Sequence, residues 1–340
     1  MPRRRLSERQ IERIQTIQER RRRRLEERTT IALQEMDESE PREGLVVVRH
    51  GANLAVQDDS NRVTHCLTRQ NIGHPVCGDR VIWQPTGPEQ GVVTAIQPRT
   101  TVLSRPDYSG RDKPLAANLT QLVILLAPSP EPSEYLVDQY LVATELMGVS
   151  AIIVINKSDM LDDRSRGALK DRFGHYESLG YPVVWISLKQ PGTLDALLPG
   201  FSNQTSILVG QSGVGKSSLV KTLLPDRDIQ IGRLSKATGL GRHTTSATTC
   251  YRIASHGHLI DSPGVRSFRL GDIDVSDLGK GFRDLAPLLG HCRFANCRHD
   301  REPGCAIKDA LQQGLVHPKR LESFLHMADR INLYTSRGHV

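Results

Sequence analysis

The segment Gly210-Gln-Ser-Gly-Val-Gly-Lys-Ser217 places glycines, a lysine and a serine at the spacing GxxxxGK[ST]. An apolar run at 206–209 precedes it, and the apolar spacing of 217–224 predicts a helix after it. Glycines let successive backbone N–H groups point inward at phosphate, and a helix N-terminus adds favourable potential for an anion. The lysine can reach the β- and γ-phosphates, and the serine hydroxyl can ligate Mg²⁺. The predicted phosphate-site residues are Gly210, Gln211, Ser212, Gly213, Val214, Gly215, Lys216, Ser217 and Ser218.

A second motif, Asn156-Lys157-Ser158-Asp159, predicts which base the site prefers. It closes the apolar strand predicted at 151–155, and open α/β sheets bind ligands at the carboxyl ends of their strands. The Asp159 carboxylate can accept hydrogen bonds from guanine N1–H and the exocyclic amine, whereas adenine lacks both donors in that arrangement. We therefore expect GTP and GDP as ligands. Ser187, at the end of the strand predicted at 183–187, is a candidate for a second guanine loop.

Two further segments match the parts of a GTPase that respond to the γ-phosphate. Asp261-Ser-Pro-Gly264 follows the strand predicted at 257–260 and fits the DxxG switch. In that switch the aspartate holds the magnesium shell and the glycine amide contacts the γ-phosphate. The polar, glycine-rich stretch 239–245 lies between this switch and the phosphate loop, where the first switch is expected. Thr245 is the predicted magnesium ligand there, with Thr244 equally possible.

A cluster of thiols and one imidazole near the C-terminus has metal-ligand spacing, Cys292-x4-Cys297-x-His299-x5-Cys305. Three thiolates and an imidazole make a closed tetrahedral shell suited to one structural Zn²⁺, with no position left open for catalysis. Buried cysteines without a metal are the alternative. Five basic residues close to the cluster favour a metal-stabilised helical module that contacts RNA. They are Arg293, Arg298, Lys308, Lys319 and Arg320.

The elements that must position these motifs begin with a small barrel. Its pattern of short strands between polar turns is shared by OB-folds and SH3-like barrels. The predicted barrel strands are 45–48, 53–56, 63–67, 79–83 and 91–96.

The nucleotide motifs lie on a different kind of sheet. Apolar strands alternate there with helical segments such as 133–147, which predicts a mostly parallel α/β sheet. The predicted strands are 122–126, 151–155, 183–187, 206–210, 249–253 and 257–261.

The motifs NKSD, GQSGVGKS, GLGRHTT and DSPGV, in that chain order, resemble those of the circularly permuted GTPases of ribosome assembly, the RsgA (YjeQ) family. The guanine motif precedes the phosphate loop, which reverses the usual order. The resemblance runs from about Gly44 to Met327 and implies a multidomain protein with an N-terminal OB-fold β-barrel, a central α/β permuted P-loop GTPase and a C-terminal zinc-binding helical domain. The expected limits are 1–43 for a basic tail, 44–106 for the OB-fold, 112–275 for the GTPase domain and 276–335 for the zinc-binding domain.

The resemblance also implies a function. It implies GTP hydrolysis that the small ribosomal subunit stimulates, contact with rRNA, and late subunit maturation coupled to release. Val265 follows the DxxG glycine, where many GTPases place a water-orienting glutamine, and an apolar side chain cannot position water. His243 is the family's candidate for this catalytic role. Two alternatives remain: a non-catalytic, nucleotide-gated RNA-binding scaffold, or a P-loop ATPase or kinase if the NKSD match is accidental.

Composition bounds the remaining expectations. Formal net charge is +7, and residues 1–28 hold eleven arginines against five glutamates. This tail is expected to be disordered alone and helical on RNA, with a solubilising tail as the alternative. No stretch approaches the ~20 apolar residues of a membrane span, and no secretory signal or disulfide framework is evident. We therefore expect a cytoplasmic protein that binds no membrane. A monomer is also expected.

Overall fold

A computed structural model describes residues 40–50, 53–69, 71–106, 112–190, 192–226, 248–253, 257–261 and 273–337. The predicted arginine-rich tail, the first switch with His243, Thr244 and Thr245, and Gly264 with Val265 lie outside these residues. Within the described ranges, 40–99 and 248–249 belong to one compact unit, and 100–226 and 250–337 belong to a second.

The first unit contains a closed five-stranded barrel. The order is β1-β2-β3-β5-β4, and β1 also pairs with β4 to close the barrel. The pairing of β3 with β5 is parallel, whereas the other barrel pairings are antiparallel. This topology is that of an OB-fold rather than an SH3-like barrel, and it confirms the predicted fold. The strands are β1 (Arg42–His50), β2 (Asn53–Gln57), β3 (Val63–Thr68), β4 (Arg80–Gly87) and β5 (Gln90–Ile96).

The second unit is built on a parallel sheet with the order β10-β9-β8-β11-β13, and β12 lies next to β13. All six residues of β8 are buried, as expected for a strand covered on both faces. A two-stranded hairpin, β6 with β7, was not predicted. The strands are β6 (Val102–Pro106), β7 (Asp112–Ala117), β8 (Gln121–Leu126), β9 (Ser150–Ile155), β10 (Val183–Trp185), β11 (Thr205–Val209), β12 (Thr248–Arg252) and β13 (His258–Asp261).

Helices cover this sheet and form the C-terminal part of the chain. Ser133 caps the first helix by accepting the N–H of Leu136, and Gly148 ends it in the left-handed region at φ 66°. In the described ranges, no helix combines the length and apolar content that a membrane crossing requires. The helices of the described ranges are α1 (Glu134–Met147), α2 (Asp163–Ser178), α3 (Lys216–Leu223), α4 (Val275–Lys280), α5 (Ala306–Gln312) and α6 (Pro318–Arg337).

An apolar core joins α1 to the C-terminal helices. Val142 of α1 lies in one buried cluster with Leu278 of α4, Ile307 of α5 and Phe324 of α6. Phe282, which follows α4, meets Phe324 edge to face with ring centroids 5.6 Å apart. Because this core is continuous, α1 and the C-terminal helices share one packed interior.

A buried ion cluster, the Arg320 cluster, lies beside this core and consists of Arg320, Asp138, Asp284 and Tyr176. Arg320 Nη1 donates to Asp138 at 2.6 Å and Nη2 to Asp284 at 2.8 Å, while the Tyr176 hydroxyl donates to Asp138 at 2.9 Å. Burial opposes the charge of Arg320, but the two carboxylates outweigh it and raise the pKa of the guanidinium. The prediction that Arg320 belongs to an RNA-contacting surface is therefore wrong, since its side chain is fully buried.

Candidate functional site

The phosphate motif forms a tight loop between β11 and α3. Gly210, Gly213 and Gly215 all adopt positive φ, at 137°, 85° and 103°. A Cβ at Gly210 would collide with the carbonyl of Leu125, and a Cβ at Gly215 would collide with the side-chain amide of Asn156. The glycines therefore let the loop pass close to its neighbours in a backbone conformation that other residues rarely adopt.

Three polar side chains, those of Lys216, Ser217 and Asp261, lie at the edge of the sheet where the parallel strands end. The Lys216 ammonium contacts the carbonyl oxygens of Gly210 at 2.7 Å and Gln211 at 2.5 Å. Ser217 follows in the first turn of α3, where backbone N–H groups lack partners within the helix. Asp261 ends β13, which pairs in parallel with β11, so it lies at the same edge. This arrangement can cradle phosphate oxygens and a hard divalent cation.

The guanine motif is fastened directly to the phosphate loop. Asn156 is 2% exposed, and its Nδ2 donates to the carbonyl of Val214 at 2.9 Å. Lys157 adopts the left-handed conformation at φ 60°, and its ammonium donates to the carbonyls of Gly213 at 2.7 Å and Ser129 at 3.1 Å. The fold thus brings together two motifs that are about fifty residues apart in the chain.

One polar atom of this motif remains available for a ligand. Within the part of the chain that the structure describes, the buried Oδ1 of Asn156 has no hydrogen-bond partner. Buried polar atoms are almost always paired, by protein, water or ligand. An acceptor at the junction of the two motifs fits a nucleotide that spans both.

Asp159 lies next to Ser187, the residue suggested for a second guanine loop. The Ser187 hydroxyl donates to Asp159 Oδ1 at 2.6 Å, and Ser187 is only 1% exposed. This hydrogen bond holds the pKa of Asp159 below its ordinary value, with a smaller contribution from Lys189, whose ammonium is 3.6 Å from Oδ2. Asp159 is therefore charged at neutral pH and can accept the donors of a guanine edge.

The four candidate zinc ligands also meet in space. Their donor atoms all lie within 4.8 Å of one another. Cys292 Sγ is 3.5 Å from His299 Nδ1 and 3.9 Å from Cys305 Sγ, and His299 Nδ1 is 3.4 Å from Cys305 Sγ. A tetrahedral zinc with bonds of about 2.3 Å to sulfur separates its ligand atoms by about 3.8 Å. The donor set and its spacing, with Cys297 as the fourth member, therefore fit structural zinc.

Glu302 shapes the loop that carries His299, a role that the sequence analysis missed. Its carboxylate accepts the backbone N–H groups of Arg298 at 3.0 Å, Arg301 at 3.0 Å and Asp300 at 3.1 Å. These bonds, that of Arg298 first, lower the pKa of Glu302 to about 2. His299 adopts φ 62° within this turn. The sequence signal for this role was the position of the acidic Glu302 between the candidate ligands His299 and Cys305.

The structure therefore brings the phosphate motif, the guanine motif and Asp261 together at one edge of the sheet. It separately brings the four residues of the Cys₃His cluster together. Ser158 is buried beside Asp159, and its N–H donates to the carbonyl of Ile186 at 3.0 Å. Thr193, which the sequence analysis also missed, contacts the Ser187 backbone. The local sequence signal for this contact was the Pro191-Gly192 pair before Thr193, which predicts a turn.

Comparison with known proteins gives consistent matches. A family model described as RsgA GTPase matches residues 96–271. The small ribosomal subunit biogenesis GTPase RsgA of Hahella chejuensis is 42% identical over 338 residues, covering 97% of each chain. The protein of the same name from Azotobacter vinelandii is 41% identical over 334 residues, covering 96% of this chain and 97% of the relative.

Two solved structures resemble this one. The crystal structure of YjeQ from Thermotoga maritima aligns with a TM-score of 0.71 and 27% identity, covering 86% of this chain and 99% of that one. The structure of YloQ, described as a circularly permuted GTPase, aligns with a TM-score of 0.69 and 28% identity, covering 86% and 96%. The match to YloQ agrees with a phosphate loop that follows the fourth strand of the sheet, β11 after β8, β9 and β10.

Proposed function

The chain belongs to the RsgA GTPase family, and from that premise we propose that it binds the small ribosomal subunit through rRNA and couples GTP hydrolysis to late subunit maturation and its own release. It is a GTP phosphohydrolase of ribosome biogenesis, as its family membership indicates. The observation that best supports the nucleotide part is the direct fastening of Asn156 and Lys157 to the phosphate loop. The proposed setting is the cytoplasm, with the protein acting as a monomer.

The proposed nucleotide contacts follow the geometry of the site. Asp159 accepts from guanine N1–H and the exocyclic amine, and Lys157 lies where it can flank the base. Lys216 leaves the loop carbonyls to reach the β- and γ-phosphates, while the loop N–H groups surround the phosphate oxygens. Ser217 and Asp261 would hold Mg²⁺, which when bound neutralises charge that develops on the phosphates.

The residues proposed to act in hydrolysis are His243, Thr245 and Gly264. His243 orients the attacking water, because Val265 has no polar group for that purpose. Thr245 would be a ligand of bound Mg²⁺, and the Gly264 amide would contact the γ-phosphate. His243→Ala should leave GDP affinity intact and slow GTP turnover; equal subunit-stimulated turnover in wild type and variant would remove this role.

One structural zinc is proposed at Cys292, Cys297, His299 and Cys305. Zinc binding there would stabilise the C-terminal helices that pack on α1. Metal analysis of Cys297→Ser should show a fall from about one zinc per chain to near zero. Cys66→Ala, which changes a buried cysteine of the barrel, is the control and should keep its zinc; equal zinc in the Cys297 variant would exclude the site.

The proposed function is tested by GTP turnover with and without purified small ribosomal subunits. Stimulation by small but not large subunits, abolished in Lys216→Ala, is the expected result. Turnover that is identical with and without small subunits would reject the coupling. Nucleotide-dependent subunit binding without stimulated turnover would favour the non-catalytic scaffold, which the apolar Val265 keeps as the second candidate.

A further inference from the structure

The loop after β10 is held together by one side-chain hydroxyl, and we propose that Thr193 is a positioning residue for guanine recognition. The N–H of Ser187 donates to Thr193 Oγ1 at 3.0 Å. The same oxygen lies 2.8 Å from the Ser187 carbonyl and 3.0 Å from the Gln190 carbonyl, either of which can accept its proton. Thr193 therefore fixes the backbone on both sides of Ser187.

This backbone controls the hydroxyl that contacts Asp159. The direction of a serine hydroxyl depends on its rotamer, and the rotamer depends on the backbone angles. Ser187 Oγ accepts the N–H of Lys189 at 3.3 Å and donates to Asp159 at 2.6 Å. A second turn bond, from Gln190 N–H to the Ser187 carbonyl at 3.0 Å, closes the same loop. The hydrogen bonds thus run continuously from Thr193 through Ser187 to Asp159.

Burial makes this route stronger than the neighbouring ion pair. Ser187 is 1% exposed, so its hydroxyl is shielded from bulk water on the donor side of the bond to Asp159. The Lys189 side chain is 81% exposed and its ammonium is 3.6 Å from Asp159, a geometry in which ion pairs contribute little. The carboxylate is therefore oriented by the Ser187 hydroxyl, and through it by Thr193.

The consequence concerns which purine the site accepts, and it rests on the proposed role of Asp159 in reading guanine. Xanthine carries a carbonyl where guanine carries the exocyclic amine. A fixed carboxylate that faces this position repels the carbonyl oxygen, whereas a carboxylate that can turn away repels it less. Loss of the Thr193 hydroxyl should therefore weaken GDP binding and reduce the preference for GDP over XDP.

The experiment measures GDP and XDP dissociation constants of the full chain by calorimetry. Thr193→Val should weaken GDP binding up to about tenfold, the effect of one lost hydrogen bond in a half-buried turn, and XDP binding less. Thr193→Ser restores the hydroxyl and should bind GDP within about twofold of wild type. Thr222→Val is the matched control, because among the described residues that hydroxyl bonds the carbonyl of Ser218 in its own helix and no residue of the guanine motif, and it should behave as wild type.

A double-mutant cycle separates positioning from general destabilisation. If Thr193 acts through Ser187, adding Thr193→Val to Ser187→Ala should change GDP affinity by less than about twofold. Unchanged GDP affinity in Thr193→Val, or two effects that simply add, would overturn the inference. Asp159→Asn, which should exchange GDP preference for XDP, tests the premise: failure of that exchange rejects the role of Asp159, whereas exchange without a Thr193 effect rejects only the inference.

Discussion

Asp159 and Asp138 each accept a hydrogen bond from a buried hydroxyl, yet they occupy opposite kinds of surroundings. Ser187 donates to Asp159 at 2.6 Å, and the Asp159 side chain is 18% exposed. Tyr176 donates to Asp138 at 2.9 Å, but Asp138 is fully buried and also receives Arg320 at 2.6 Å. The first carboxylate is oriented and left accessible, whereas the second is neutralised inside the protein. A partly exposed carboxylate is thus available to a ligand, whereas a buried carboxylate paired with an arginine stabilises the fold.

The Arg320 cluster should give the largest effect on stability. Arg320→Ala leaves Asp138 and Asp284 buried without their cation, which we expect to lower the free energy of unfolding by about 3–5 kcal/mol. Urea unfolding of the nucleotide-free protein measures it. Lys319→Ala removes a neighbouring exposed cation and should leave the midpoint of urea unfolding almost unchanged. Equal stability of the two variants would show that the buried Arg320 contributes no more to folding than the exposed Lys319.

Asn156 probes the recognition side of the comparison. Asn156→Ala removes the amide that holds the guanine motif on Val214, so we expect GDP affinity to fall about thirtyfold, or about 2 kcal/mol. The free energy of unfolding without nucleotide should fall by about 1 kcal/mol or less. Calorimetric titration and urea unfolding of the same preparation compare the two. A stability loss larger than the affinity loss would contradict the assignment of this side chain to recognition.

His175 makes the free energy of unfolding depend on pH. Its ring stacks on that of His317 with centroids 4.0 Å apart, and burial, His317 and Arg320 lower its pKa from 6.5 to about 4. Between these values the unfolded chain binds the proton and the folded chain does not, so stability falls as pH falls.

The variant His175→Phe keeps an aromatic ring but cannot titrate. From pH 7.5 to 5, wild type should lose about 1 kcal/mol more unfolding free energy than the variant, a value reduced for partial exposure. Urea unfolding at both pH values measures the difference, in which pH effects common to both proteins cancel. Parallel losses in the two proteins would show that His175 is not the responsible group.

The smallest effect is expected at Lys189. Its ammonium is 3.6 Å from Asp159 and its side chain is 81% exposed, so Lys189→Ala should change GDP affinity by about 0.5 kcal/mol or less. Titration at low and at physiological salt checks this. An effect as large as that of Asn156→Ala would mean that charge, rather than the buried hydroxyl, orients the carboxylate.

The sequence predicted those strands whose signal lies within a few neighbouring residues. The five barrel strands and the strand before the phosphate loop are short apolar runs between polar turns, and all of them form. The barrel type was not readable from this pattern, because OB and SH3-like barrels differ in strand pairing rather than in strand spacing. The parallel pairing of β3 with β5 decides the topology, and that contact is not local.

Residues whose role depends on distant partners escaped prediction. Arg320 follows Lys319 near the start of α6, and this polar sequence context favoured an exposed surface. Its partners are Asp138 and Asp284, 182 and 36 residues away. Thr193 likewise matters only because the turn folds it back on Ser187. The assignments of Thr245, His243 and Gly264 remain predictions, since those residues lie outside the described ranges.

The position of β11 in the sheet has a consequence for how the protein is made. β11 lies between β8, which is synthesised about eighty residues earlier, and β13, which is synthesised about fifty residues later. A chain growing from its N-terminus therefore presents the base-reading motif first and the phosphate loop second. It completes the sheet under that loop only when Asp261 has been added. Nucleotide can stabilise the completed sheet from that point, before α4, α5 and α6 are added, because a ligand favours the state that contains its site.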